Sequence, residues 1–162
     1  MKALVQRVIG KTSIVINGGA PQEFAGPGLV VLLGWDRDDE VHKDLSAAEE
    51  WVRSHVSGLR VFPDKAQKMN LSLEAYLDQE KISSGGILWV SQFSLGAELD
   101  SGYRPSFTNS MNPLLAAMRY KIFTENVRKA AIPQVTNLFG EFGADMALSF
   151  TNWGPLTIPL QR

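Results

Sequence analysis

Two short segments of the chain are apolar at every position. They are residues 29–33, Leu-Val-Val-Leu-Leu, and residues 87–90, Ile-Leu-Trp-Val, and each follows a glycine. A short unbroken apolar run is typical of a strand that is buried on both faces. We therefore predict a central strand at residues 87–90 and a second buried strand at residues 29–33.

Other segments alternate apolar and polar residues, which predicts strands with one buried face. Residues 3–8 and 13–17 have this pattern and are separated by Gly10-Lys11, so we expect them to form an antiparallel pair. Residues 144–151 alternate in the same way. Further strands are predicted at residues 59–62, from Val135, and after Gly154-Pro155 as far as Leu160.

Two segments repeat apolar residues at helical spacing. The second begins at Asn112-Pro113, an N-cap followed by proline, and reaches about Ala130. Residues 74–84 are polar and are predicted to form a surface excursion. The first helical segment ends at Gly58 and carries apolar residues at Val41, Leu45, Ala48, Val52 and Val56.

The side chains on the rest of the first helix are predicted to be structural or solvated. Its charged residues are Lys43, Asp44, Glu49 and Arg53. His42 and His55 stand thirteen positions apart, so they cannot form a metal pair on one helix face. Together the elements predict an α+β fold, a single domain over residues 1–162 with mostly antiparallel sheets in a barrel-like arrangement and two main helices.

Composition is that of an ordinary globular domain. The 162 residues are 44% hydrophobic and 20% charged, and no cysteine is present, which excludes a disulfide scaffold and thiolate catalysis. No apolar run approaches the length of a membrane span, and residues 1–10 have a strand-like pattern instead of a signal core. We expect a soluble, cytoplasmic protein with no membrane segment.

Charge is nearly balanced overall but uneven along the chain. The net charge is −1, yet residues 103–129 carry five basic side chains and only Glu125 as an acid. This segment is either a solvated helix face or a patch that faces phosphate groups.

Polar side chains follow the predicted central strand, where Ser91, Gln92 and Ser94 alternate with Phe93 and Leu95. They either cap a turn or face a ligand, because unpaired burial would cost about 1–3 kcal/mol per group. Neither histidine is placed as a base for a serine nucleophile, and no metal spacing or glycine-rich phosphate loop is present. An enzyme built on this chain would work by positioning and by backbone oxyanion donors, without a cofactor or metal.

Three further candidates have two interpretations each. Arg7 stands among apolar residues and either points to solvent or is a buried guanidinium that orients a neighbour. Met69 is either core filler or part of a site. Gly154-Pro155 is either a trans turn or a rigid element that presents bare carbonyl oxygens.

These residues stand in motifs that resemble those of the D-aminoacyl-tRNA deacylase family. Six matches run in order over nearly the whole chain: Gln6-Arg7-Val8, Lys68-Met69-Asn70-Leu71, Ser91-Gln92-Phe93-Ser94-Leu95, Arg104-Pro105-Ser106-Phe107, Phe142-Gly143-Ala144-Asp145-Met146 and Asn152-Trp153-Gly154-Pro155-Leu156-Thr157. Each motif is weak alone, and the six in register are specific.

The resemblance implies a homodimer that hydrolyses the ester between a D-amino acid and the 3′-terminal adenosine of tRNA. It implies that Gly154 and Pro155, with a cis bond, enter the partner subunit's pocket and reject L-amino acids, and that Arg7 braces them. Catalytic-pocket residues would be Ser91, Gln92, Phe93 and Ser94, and substrate-binding residues would be Arg7, Met69, Phe142 and Met146. Backbone N–H groups near Phe93 and Ser94 would stabilise the oxyanion, and the RNA 2′-hydroxyl would assist.

Three positions depart from the family pattern. Ser94 stands where threonine is usual, Glu141 stands where arginine commonly precedes the phenylalanine, and residues 78–84 are longer than usual. Two alternatives stay open: a non-catalytic module that binds the tRNA acceptor end, and a hydrolase of small D-aminoacyl esters or amides.

Overall fold

The computed structural model describes residues 1–42, 44–100 and 102–162. Its strands are β1 (Lys2–Ile16), β2 (Gln22–Ala25), β3 (Gly28–Gly34), β4 (Phe62–Pro63), β5 (Met69–Leu71), β6 (Gly85–Ser91), β7 (Val135–Phe139) and β8 (Met146–Gln161). Its α-helices are α1 (Leu45–Gly58), α2 (Leu73–Glu80) and α3 (Pro113–Lys129), with short 3₁₀ helices at Arg37–Glu40 and Phe93–Gly96.

The strands form one large sheet and a small two-stranded one. The large sheet has the order β2-β1-β3-β6-β7, β8 pairs with β1, and β4 pairs with β5. The predicted central strand is confirmed, because β6 lies between β3 and β7 and runs parallel to both. The other four pairings are antiparallel, as the sequence predicts. Parallel strands in the middle of a sheet are covered on both faces, which explains the apolar runs of β3 and β6.

The two faces of the large sheet have separate apolar clusters. The three helices cover one face and bury alternate residues of β3 and β6, such as Val31 and Trp89. The opposite face buries the intervening residues, including Val30 and Leu88. Residues from the start of β8 pack against this second face, so the sheet curls into a nearly closed, barrel-like form that agrees with the predicted α+β class.

Two predicted strand breaks are wrong. Residues 3–8 and 13–16 belong to the single strand β1, which ends one residue before the predicted bound, and its pairing with β8 shifts register between Ile9 and Ser13. The strands predicted on either side of Gly154 likewise belong to β8. A β-bulge lets a strand bend while it keeps its partner, so a glycine inside an alternating pattern need not end the strand.

The predicted surface excursion at residues 74–84 lies at the surface apart from the buried Leu77, but most of it forms the helix α2, which the sequence patterns did not predict. Ser72 caps this helix by accepting a hydrogen bond from the Ala75 N–H, and Leu73 and Leu77 are buried on its inner side. The first helix begins at Leu45 instead of Val41, whose side chain is 84% exposed. Lys43, predicted on its charged face, lies outside the described residues.

Within the described ranges, no helix is both long enough and apolar enough to cross a membrane.

Candidate functional site

A pocket of about 600 Å³ opens at the carboxyl ends of the parallel strands β3 and β6. Its lining includes five of the predicted site residues, which come from the end of β6 and from the turn that leads into β8: Ser91, Gln92, Phe93, Phe142 and Met146. The structure therefore brings together residues that lie about fifty positions apart in the chain. Pockets that bind small ligands have about this volume.

Hydrogen bonds fix the segment that follows β6. The Gln92 N–H donates to the Leu33 carbonyl oxygen at 2.6 Å, which ties the segment to β3. The Gln92 side-chain amide donates to Ser94 Oγ at 2.5 Å, and Ser110 Oγ donates to the Phe93 carbonyl oxygen at 3.0 Å. Ser94 is thus half-buried and its hydroxyl is held by an amide, and among the described residues no base accepts a hydrogen bond from it.

Two backbone donors stand at the start of the 3₁₀ helix Phe93–Gly96. The first N–H groups of a helix have no acceptor within the helix itself. Among the described residues, the Phe93 and Ser94 N–H groups also have no acceptor from another element. These two donors follow directly after the pocket-lining residues Ser91 and Gln92.

Aromatic side chains form much of the pocket wall. Phe93 is 58% exposed and meets Phe107 edge to face, with ring centroids 4.8 Å apart. Tyr120 on α3 is buried behind Phe142, and its hydroxyl lies 3.0 Å from the Trp89 carbonyl oxygen and 2.9 Å from that of Gly140. Burial raises the pKa of Tyr120 well above its ordinary value. This hydroxyl ties α3 to the ends of β6 and β7.

A buried ion pair supports another wall of the pocket. Glu49 is 3% exposed, so its predicted place on a solvated face is wrong. Its Oε1 accepts from Arg119 Nε at 2.8 Å and from the indole N–H of Trp35 at 2.9 Å, and Trp35 lines the pocket. Arg119 also pairs with Glu49 Oε2. The network links α1 and α3 to the end of β3.

The remaining predicted residues form a second group around Arg7. The Arg7 side chain is 8% exposed, so of its two predicted interpretations the buried guanidinium is confirmed and the solvent-facing one is wrong. Its Nε donates to the Trp153 carbonyl oxygen at 3.0 Å, and Nη1 donates to the Val61 carbonyl oxygen. Burial lowers the pKa of Arg7, but an arginine stays charged at neutral pH.

Gly154 and Pro155 lie at the surface next to this group, and the bond between them is cis. A Cβ at Gly154 would stand 2.9 Å from Arg7 Nη2 and 3.1 Å from the Leu156 nitrogen, and its φ of +131° is one that L side chains rarely adopt. The Leu156 N–H donates to Asn152 Oδ1 at 2.9 Å, so a short side-chain bridge closes the turn.

The two groups are not brought together within one chain. Neither Arg7 nor Gly154 nor Pro155 lines the pocket, and Gly154 follows the pocket residue Met146 by eight positions on β8. Met69 also lies away from the pocket, opposite Pro63 in the small sheet. Its side chain is 62% exposed, which excludes the core-filler interpretation.

Two of the five basic side chains in residues 103–129 serve the fold. Arg119 is committed to Glu49, and the Arg128 guanidinium lies 4.1 Å above the Phe139 ring. The His55 ring stacks on Trp51, in agreement with a structural role. Across residues 1–42, 44–100 and 102–162, no three acidic or histidine side chains are placed to hold a metal ion.

A comparison with known protein families identifies the chain. The model of the family described as D-Tyr-tRNA(Tyr) deacylase matches residues 4–161. The chain belongs to this family. The resemblance seen in the six sequence motifs is thereby confirmed.

Individual deacylases and solved structures agree with this family. The chain is 38% identical over 161 residues to the D-aminoacyl-tRNA deacylases of Escherichia coli O1:K1 / APEC and Salmonella enteritidis PT4, with 99% of each chain covered. The structure of a protein named c-Myc DNA Unwinding Element Binding Protein is similar to this chain, with a TM-score of 0.75 and 32% identity. The match covers 100% of this chain and 99% of that protein's chain. A probable eukaryotic D-amino acid tRNA deacylase has the same fold at 17% identity, with a TM-score of 0.76 and 99% of both chains covered.

The motifs of this deacylase family mark part of the pocket only. Trp35, Ser110, Met111 and Ala116 also line it, and the sequence patterns had not selected them. Trp35 and Met111 are apolar residues next to predicted elements, where burial in the core is the ordinary expectation. No local sequence signal distinguishes such residues from core residues. They face the pocket because of where β3 ends and α3 begins in the fold.

Proposed function

We propose that this chain hydrolyses the ester bond of D-aminoacyl-tRNA and releases the free D-amino acid and the tRNA. The observation that carries the proposal is the pocket beside two unpaired backbone donors, the Phe93 and Ser94 N–H groups. Membership in the deacylase family supplies the substrate class. Because the substrate is a charged tRNA, we place the reaction in the cytoplasm.

The proposed chemistry is a direct attack of water on the ester. The water oxygen bonds to the ester carbonyl carbon, and the charge that develops on the carbonyl oxygen is stabilised by the N–H groups of Phe93 and Ser94. The ester C–O bond then breaks, and the 3′-oxygen leaves as a hydroxyl with a proton from the water. The neighbouring 2′-hydroxyl of the RNA relays this proton, which fits a site where no described residue acts as a base for Ser94.

The pocket walls would hold the aminoacyl-adenosine. Phe93 and Phe142 offer aromatic surface to the base or to the amino-acid side chain, and Met146 adds an adaptable apolar contact. Ser91 and Gln92 supply polar groups at the same edge. Such a pocket is mostly apolar with a few directed hydrogen bonds, as small-ligand sites generally are.

We further propose that a homodimer completes the site and rejects L-aminoacyl esters. Gly154 and Pro155 do not line the pocket of their own chain, so a second copy would supply them. Their exposed carbonyl groups would bind the substrate amino group and leave no space for an L side chain. Met69, exposed on the small sheet, would contact the substrate in the same assembly.

Deacylation of one tRNA charged in parallel with D-tyrosine and L-tyrosine tests the reaction. We expect rapid loss of the D ester, while the L ester decays at the spontaneous rate. The second candidate function is a non-catalytic module that binds nucleic acid. It is favoured by the name of one similar structure, which refers to binding of a DNA element. Salt-sensitive tRNA binding without turnover of either ester would favour that candidate.

A mixing experiment tests whether the site is shared between two copies. Ala144→Trp would block the pocket, because Ala144 lines it, and Gly154→Ala would impair the filter. In a mixed dimer that shares its sites, the open pocket receives the intact Gly154 of the other copy, so discrimination returns. If each chain used its own Gly154, mixing would restore nothing. A monomeric mass at micromolar concentration would refute the dimer outright.

A further inference from the structure

The side chain of Trp153 is enclosed by three neighbours. The Arg7 guanidinium carbon lies 4.3 Å above the indole centroid, and the rings of Phe62 and Tyr76 lie 6.2 and 6.0 Å away. Phe62 and Tyr76 also stack on each other, with centroids 5.3 Å apart. We name this group the Trp153 cluster: Arg7, Phe62, Tyr76 and Trp153.

The cluster is joined to the backbone that presents Gly154. Arg7 donates to the carbonyl oxygen of Trp153, which belongs to the peptide group that leads into Gly154. The Arg7 Nη2 atom is so close to Gly154 that a Cβ there would stand 2.9 Å from it. The position of the guanidinium therefore fixes the direction of this peptide group.

The Trp153 indole favours one orientation of the Arg7 guanidinium, which lies over its ring. A single hydrogen bond to Trp153 and another to Val61 leave an arginine side chain free to tilt, whereas a flat aromatic face under it favours one orientation. Phe62 is fully buried in β4, and Tyr76 lies on α2, so the indole itself is held by the ordered part of the fold.

We propose that Trp153 is a positioning residue, whose indole orients Arg7 and thereby the Gly154-Pro155 turn, so that the Trp153 cluster sets the discrimination between D and L esters. The inference rests on the proposed function of that turn. A purely structural role would differ in its effect, because a loss of core packing lowers stability or overall rate without changing the preference for one enantiomer.

The test compares three variants of the full-length chain. Trp153→Ala removes the aromatic face, and Trp153→Phe keeps it. Trp51→Ala is the matched control, since Trp51 is also half-buried, stacks on His55 at 3.9 Å and has Arg162 5.9 Å from its ring. For each, kcat and KM are measured with D-tyrosyl-tRNA and L-tyrosyl-tRNA, and thermal unfolding verifies that the protein is folded at the assay temperature.

We expect Trp153→Ala to lower the D-to-L ratio of kcat/KM by about tenfold, which corresponds to about 1.4 kcal/mol. Trp153→Phe should restore most of the ratio, and Trp51→Ala should leave it unchanged. An unchanged ratio in folded Trp153→Ala overturns the inference, and so does a failure of Trp153→Phe to rescue it. If Gly154→Ala also leaves the ratio unchanged, the proposed filter fails as well, so the two failures are distinguishable.

Discussion

The ester is attacked either by water or by the Ser94 hydroxyl, and the loss of rate in Ser94→Ala distinguishes these two mechanisms. In the structure this hydroxyl accepts one hydrogen bond from the Gln92 amide at 2.5 Å. A hydrogen bond between neutral groups contributes about 0.5–1.5 kcal/mol. Because about 1.4 kcal/mol is a factor of ten, losing the bond should slow the reaction by about tenfold at most. Loss of a serine nucleophile from a protease costs about 2 × 10⁶-fold in kcat.

Single-turnover deacylation of D-tyrosyl-tRNA measures this difference, with excess enzyme so that weaker binding does not limit the rate. Ser106→Ala is a matched control, because Ser106, like Ser94, is hydrogen-bonded to the side chain two residues away, here the Thr108 hydroxyl at 3.1 Å. We expect Ser94→Ala to retain at least about a tenth of the wild-type rate. A folded, tRNA-binding Ser94→Ala with no activity would contradict the direct attack of water and favour a serine nucleophile.

Three further predictions concern the turn, the ion pair and the buried tyrosine. Gly154→Ala places a Cβ 2.9 Å from Arg7 Nη2 at a φ of +131°, so we expect faster hydrolysis of the L ester relative to the D ester; an unchanged ratio of initial rates would contradict the filter. Arg119→Ala leaves the Glu49 carboxylate buried without a charged partner, so urea denaturation should show a loss of about 3–5 kcal/mol, and a loss below about 1 kcal/mol would contradict this interpretation. Burial raises the pKa of Tyr120 in the folded state, so its contribution to stability is complete below about pH 10 and is lost as pH rises further. Tyr120→Phe should therefore lose less stability than the wild type between about pH 9 and about pH 11, and equal losses in urea denaturation would show that Tyr120 is not responsible.

The middle of the sheet could be predicted because its signal is local. Residues 29–33 and 87–90 are apolar at every position, and only strands covered on both faces tolerate such runs. The helix α3 could be predicted for the same reason, since Asn112 and Pro113 mark its start and Asn112 Oδ1 accepts from the Leu114 N–H. In these segments the chain's own propensity and its tertiary environment agree.

The parts that could not be predicted depend on partners far away in sequence. The local sequence predicts that Glu49 is a solvated helix residue. Its burial depends on Arg119, which lies on α3 seventy positions later in the chain. The short helix α2 has only Leu73 and Leu77 as buried anchors, too few to show a helical period within a polar segment. Arg7 allowed two opposite interpretations, and the choice required the Trp153 carbonyl, which lies at the other end of the chain.

The same distinction explains why the candidate site divides into two groups. Ser91, Gln92 and Phe93 meet Phe142 and Met146 because β6 ends where β8 begins, which is a consequence of the fold of one chain. Gly154 lies eight residues further along that same β8, which pairs with β1, and neither Gly154 nor Pro155 lines the pocket of its own chain. If both groups act on one substrate, as we propose, a second copy of the chain has to bring Gly154 and Pro155 to a pocket that they do not line in their own chain.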